Sequence, residues 1–163
     1  MYEEIYDHLE KYPFFKSCKC DDYSDCEGKD QISCSIDSNH LHLLIDNCII
    51  TDNDINKCDC FILYKHEDDS VYVFLIEFKK GGYKLNHVKS QIQTGLDYFS
   101  KILDKYRYKI VYKMILYAPS HKRNIDRYKP IFKVKYGKIN LPIITLNNGE
   151  ILTSIIKKNK LLI

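Results

Sequence analysis

In the stretch VYVFLIEFKKGG, residues 71–82, an apolar run that reads as a buried strand ends by placing Glu77 and Lys79 one residue apart. Side chains alternate faces along a strand, so both charges share a face with Val71, Val73 and Leu75, and Tyr72, Phe74, Ile76 and Phe78 take the other. The preceding apolar run, residues 59–64, puts Asp59 on one face with Phe61 and Leu63, and Cys58, Cys60, Ile62 and Tyr64 on the opposite one. Joined by the charged loop KHEDDS, the two runs predict an antiparallel hairpin. A register pairing Tyr64 with Tyr72 sets Asp59 opposite Glu77, with Cβ atoms about 4.5–5.5 Å apart. Two carboxylates that close repel each other, and a hard divalent cation with oxygen ligands, Mg2+ or Mn2+, relieves the repulsion. A slip of one residue sends them to opposite faces and removes the site. The bland alternative is a strand end whose charges simply reach water.

The elements that must position these residues follow from periodicity. Tyr2, Ile5, Tyr6 and Leu9 recur at helical spacing before Pro13, so residues 2–12 predict an opening amphipathic helix. Residues 17–39 are acidic, Cys-rich and aperiodic, an irregular insert. HLHLLIDNCII, residues 40–50, predicts a strand interrupted or bulged at Asp46 and Asn47. The clearest helix covers residues 84–106, where Leu85, Val88, Ile92, Leu96, Phe99, Leu103 and Tyr106 fall within one arc of roughly 80°. Lys84, His87, Gln91, Gly95 and Tyr98 form a stripe beside that arc. Residues 108–119 predict a strand ended by Pro119, SHKRNIDRYKP a basic loop or short helix, residues 138–146 a last strand, and residues 150–156 a short helix or strand. The order predicts a single domain over residues 1–163, of α/β (α+β) class, with a central mixed sheet flanked by helices.

Charge narrows the function classes. Residues 1–60 carry 14 acidic against 5 basic side chains, and residues 61–163 carry 8 against 20, so an overall charge of +3 conceals segments of −9 and +12. The basic part would attract a polyanion such as nucleic acid, although only Arg107, Arg123 and Arg127 offer bidentate phosphate contacts. Lys80, Lys84 and Lys89, close to Glu77 and Lys79, are candidate phosphate contacts; a solvated lysine face is the alternative. No apolar run approaches the roughly 20 residues of a membrane-spanning helix, and MYEEIYDHLE is acidic where a signal peptide would be basic and then apolar. A cytoplasmic protein without membrane contact is the expectation. Under it the seven cysteines, an odd number, predict free thiols and no disulfide framework. Cys18, Cys20, Cys26 and Cys34, with His40 and His42, are an alternative zinc or iron–sulfur ligand set, with spacings that fit no common knuckle.

Asp59 followed by Glu77-Phe78-Lys79 resembles the D…ExK core of the PD-(D/E)XK nuclease superfamily. The resemblance covers roughly residues 2–118, with Cys58 at the position of the family's proline. It implies a restriction-endonuclease-like αβββαβ core and a metal-dependent nuclease acting on nucleic acid, with DNA as the expected substrate. Asp59, Glu77 and the Phe78 carbonyl would then hold the Mg2+ or Mn2+, and Lys79 would orient or deprotonate the attacking water. Gln91, on the helix after the second motif strand, would position water or a phosphate. Asp46 and one of Glu3, Glu4 or Glu10 are candidates for a further metal contact, and His87 reads as a surface residue. A chain this small would need a second copy to cut both strands, so the resemblance leaves a homodimer open as one possible assembly. The rival readings are a nuclease-fold protein that binds nucleic acid without cutting, alone or as a subunit of a larger complex, and a metal or cluster protein based on the early cysteines.

Overall fold

The computed structural model describes residues 1–20, 40–118, 132–147 and 150–158. Continuous apolar runs at 60–64 and 71–76 become strands buried on both faces, the fate of a run too apolar to show water one side. They lie inside a seven-stranded mixed sheet. Its strands are β1 (Lys19–Cys20), β2 (His40–Leu44), β3 (Cys60–Lys65), β4 (Val71–Phe78), β5 (Ile110–Ala118), β6 (Lys133–Tyr136) and β7 (Ile139–Asn147). The spatial order is β1-β2-β3-β4-β5-β7-β6. β1 to β4 form an antiparallel meander, β5 runs parallel to β4, β7 parallel to β5, and β6 antiparallel to β7. The fold is therefore α+β, with a mixed sheet between helical layers.

Among the described residues the helices are α1 (Tyr2–Glu10), α2 (Phe14–Cys18), α3 (Leu85–Ile102) and α4 (Ser154–Lys158), with a 3-10 turn at Asp104–Tyr106. The arc expected on α3 is the buried one: Val88, Ile92, Leu96 and Phe99 pack with Phe61, Leu63, Val73 and Leu75 on one sheet face, beside Ile5 and Leu9 of α1. Leu103 and Tyr106 extend the same apolar line past the helix end, where Leu103 leaves helical geometry. The other face carries Cys60, Ile62, Phe74, Ile76, Ile115 and Tyr117 against Leu152, Ile155 and Ile156. Burying one Phe or Leu in such a layer stabilises by about 1.5–3 kcal/mol, so the two faces together fix the register of β3 and β4. Among the described residues no helix is long and apolar enough to cross a membrane.

Several expectations need correction. Residues 17–20 are not irregular: they complete α2 and form β1, which pairs Lys19 with Leu43 and Cys20 with His42. Cys18 is joined to Cys48 by a disulfide with a Cα–Cα distance of 5.7 Å. Spacing along the chain hides this pair, because α2 returns to the turn after β2 only in three dimensions. The pairing removes Cys18 from the zinc or cluster set, while Cys26, Cys34 and residues 21–39 lie outside the described residues, as does the basic segment with Arg123 and Arg127. β6 was not anticipated. It joins β7 through a two-residue turn in which Gly137 adopts φ 59°, a left-handed conformation that glycine takes without a Cβ penalty.

Candidate active site

Tyr64 pairs with Tyr72 and Cys60 with Ile76, so the hairpin has the register that the carboxylates require. The ladder ends there. Asp59 bends out of it: its N–H donates to the Ile76 carbonyl (3.0 Å), and its own carbonyl accepts from the N–H groups of Ile45 (2.8 Å) and Asp46 (3.4 Å). The Asp59 carboxylate thereby turns round the end of β4, where Oδ2 accepts a hydrogen bond from the Phe78 N–H at 2.7 Å. Asp59 is 6% and Glu77 2% exposed, so both carboxyls are effectively out of water. Strand parity carried past this bend fails for Cys58. Its Sγ lies on the α3 side, against Gly95 and with Leu75 nearby, and not beside Cys60 on the opposite face.

Lys79 and Glu77 share a face, as alternation requires, and Lys79 Nζ lies 2.5 Å from Glu77 Oε1. The backbone of Lys79 remains tied to the sheet through its N–H to the Tyr117 carbonyl, 2.8 Å. From α3, Gln91 donates through Nε2 to the Lys57 carbonyl (3.1 Å), two residues before Asp59. Its amide also lies close enough to Glu77 to favour the ionised carboxylate. Yet Glu77 Oε2 and Gln91 Oε1 are both buried without a hydrogen-bond partner among the described residues. Orphaned buried acceptors are costly unless something positive or protic satisfies them.

The electrostatics agree. Burial pushes the Asp59 carboxyl up, Glu77 pushes it further and Asp46 adds to this, against the opposing Phe78 N–H and Lys79; the result is about 8. Glu77 is also raised, by burial first, with Lys79 and Gln91 holding it down and Asp46 raising it. Burial, Glu77 and Asp59 together raise the Cys58 thiol well above its ordinary range, so it stays a neutral packing group. Asp46, on the turn after β2, faces Lys57 at 3.6 Å. Lys57, buried and donating to the Asp52 carbonyl at 2.6 Å, has no periodic signal in the sequence and was not anticipated.

The remaining candidates divide cleanly. Lys80 and Lys84 are exposed and Lys89 half-buried, on the connection after β4 and the first turns of α3. His87 is exposed. Glu3 pairs with Lys65 at 3.9 Å, and the Glu4 carbonyl accepts from Tyr106. Since Lys65 faces Val71, that end of the sheet is six residues, about 20 Å, from Glu77. Glu3 and Glu4 are thus too distant to join the site. Gly95, a member of the stripe on α3, is where the Cys58 segment packs close to the helix. A Cβ built there would stand 2.6 Å from Cys58 Sγ, so only glycine lets the segment carrying Asp59 approach the helix.

Among the described residues no group of three or more His, Cys, Asp or Glu side chains is arranged to hold a metal ion. A pair of buried carboxylates with an orphaned oxygen still fits a small hard cation, which commonly keeps several waters and needs one or two carboxylates from the protein. The chain matches no protein-family model, no curated protein and no solved structure.

Proposed function

We propose that the protein is a metal-dependent nuclease that hydrolyses phosphodiester bonds in DNA, built on a restriction-endonuclease-like core. The observation that carries this reading is the meeting of Asp59, Glu77, Lys79 and Gln91 at one end of β4, with two buried carboxyls of which Glu77 Oε2 has no partner among the described residues. The element order supports it, since α1, β2, β3, β4, α3 and β5 run helix, three-strand meander, helix, strand. Asp59, Glu77 and the Phe78 carbonyl would hold Mg2+ or Mn2+. When bound, the cation would stabilise charge on the phosphate and lower the pKa of water.

The chain's own residues supply the rest. Lys79 lies at the solvent edge, partly exposed, and would turn its ammonium toward the attacking water and the scissile phosphate. Gln91 fixes the Lys57 carbonyl, and so the approach to Asp59, while its free Oε1 would accept from a water. Lys80, Lys84 and Lys89 would draw the phosphate backbone to the site. A homodimer would give one centre per strand of a duplex.

A second reading, binding without cleavage, draws on the closeness of the Lys79–Glu77 pair, which could serve only to neutralise a buried carboxylate. One assay separates them. Labelled single-stranded, duplex and branched DNA and RNA are incubated with Mg2+ or Mn2+ and the parent, Glu77→Ala or Lys79→Ala. Cleavage by the parent alone is expected. Salt-sensitive binding with no cleavage by the parent would favour the second reading, and cleavage persisting in both variants would place the chemistry elsewhere.

A further inference from the structure

An open groove of about 1280 Å³ lies between the C-terminal turns of α3, the start of β5 and the β6–β7 hairpin. Ile110 on its wall pairs with Val71, whereas Leu116 pairs with Glu77, so the groove begins about 20 Å along the sheet from the carboxylates. Its wall is held firmly: Gln93 on α3 donates to the Lys135 carbonyl (2.9 Å) and accepts from the Lys135 N–H (2.7 Å), pinning β6 to the helix.

The lining has a specific chemistry. Tyr108 is 87% exposed, an unusual position for an aromatic ring. Arg107 holds it in place, with its guanidinium 4.5 Å from the ring centroid and a 2.6 Å hydrogen bond to the hydroxyl. Tyr112 is only 6% exposed, and its hydroxyl is buried with no partner among the described residues, an unmet polar group in the groove lining. Both acidic side chains there are engaged, Asp97 by Gln93 at 2.9 Å and Asp104 by Arg107 at 3.8 Å. Among the described residues, the ammonium groups of Lys101, Lys135 and Lys138 form no ion pair. The groove therefore offers positive charge and an exposed, braced aromatic face.

We propose that this groove binds single-stranded nucleic acid, with an unpaired base stacked on Tyr108 and backbone phosphates on Lys101, Lys135 and Lys138. A polyanion satisfies the unpaired ammonium groups, and stacking on Tyr108 requires a base face that a duplex keeps hidden. The choice of polymer rests on the nucleic-acid reading above, but binding here needs no cation and no cleavage. The nuclease would accordingly act beside a single-stranded segment, held at a second contact further along the sheet.

The test is fluorescence anisotropy of a short labelled oligothymidylate with the full chain in EDTA, where no hydrolysis intervenes. Tyr108→Ala should weaken binding about tenfold, the order of one lost base–aromatic stack, and Tyr108→Phe should retain it. The double variant Lys135→Glu, Lys138→Glu should weaken binding and flatten its dependence on salt. Tyr108 is exposed enough that its replacement leaves the fold intact, which circular dichroism verifies. Absence of binding by the parent, parent-like binding by Tyr108→Ala and by the lysine variant, or equal competition by a blunt duplex of matched length overturns the proposal. Groove-dependent binding by a parent that cleaves nothing with Mg2+ would sink the nuclease reading alone. Intact cleavage with no groove-dependent binding would sink the groove alone.

Discussion

Replacing Asp59 by Asn should stabilise the metal-free protein at pH 8 and at the same time abolish cleavage and stabilisation by divalent cations. In the fold the Asp59 carboxyl ionises at about 8, against 3.8 ordinarily, because it is buried beside Glu77. The unfolded chain loses this proton near pH 4, while the folded chain keeps it until about 8. Below pH 4 the two states bind the proton alike, and between 4 and 8 every rise in pH favours the unfolded chain. At about 1.4 kcal/mol per pKa unit, the whole difference bounds the destabilisation at about 5–6 kcal/mol. Glu77 takes up part of the same proton, so about half, 2–3 kcal/mol, is the share expected to vanish in the variant. At ~2–4 °C per kcal/mol for a chain of this size, Tm in EDTA at pH 8 should rise by about 5–10 °C, and by several-fold less at pH 5. Asn retains a carbonyl oxygen for the Phe78 N–H, so the turn at residue 59 keeps its hydrogen bond. Millimolar Mg2+ or Mn2+ should raise the Tm of the parent most at pH 8 and leave the variant unmoved. Scanning calorimetry across pH, with and without cation, decides it. A variant destabilised equally at pH 5 and pH 8, or a parent indifferent to cations, would refute the reasoning that Asp59 is a carboxylate waiting for a metal.

Two further perturbations test what positions the site. Gly95→Ala should lose about 1–3 kcal/mol and most cleavage, because its Cβ would meet Cys58 Sγ at 2.6 Å; adding Cys58→Ala in the same chain should restore cleavage toward the parent, and a failure to restore it would show that Gly95 acts by another route. Replacing Cys18 and Cys48 by Ser opens a covalent loop with a sequence separation of 30, which should lower stability by about 3–4 kcal/mol in urea unfolding under oxidising conditions and have no such effect in reductant, since the parent is then also open.

Much of this arrangement was legible because it depends on alternation along one strand. Glu77 and Lys79 had to share a face, and the register found, Tyr64 with Tyr72, is the one that alternation allowed and the carboxylates required, burying Phe61, Leu63, Val73 and Leu75 together. The arc on α3 was equally legible, since six of its seven residues are buried. β6 escaped because it is short and carries lysines, the guise in which edge strands avoid further pairing. The Cys18–Cys48 bond escaped because its two ends meet only through tertiary structure, and the expectation of reduced thiols rested on compartment and not on geometry.

The turn at Asp59 shows where alternation stops being a guide. Parity holds only while a strand stays in its ladder, and here the ladder ends one residue before the carboxylate that matters. Past that point Ile45, Asp46 and Phe78 backbone groups, together with the Gln91–Lys57 bond and the hollow at Gly95, decide where Asp59 and Cys58 go. A regular strand would have set Asp59 beside Glu77 across the sheet and Cys58 on the opposite face. The bend instead seats the thiol under α3 and turns the carboxylate onto the end of β4, within reach of the Phe78 backbone. That departure from regularity interrupts the ladder and brings a buried carboxylate, the Phe78 N–H and the strand end carrying Glu77 and Lys79 together. Residue 59 is therefore placed by backbone contacts beyond the ladder's end, which alternation along the strand does not encode.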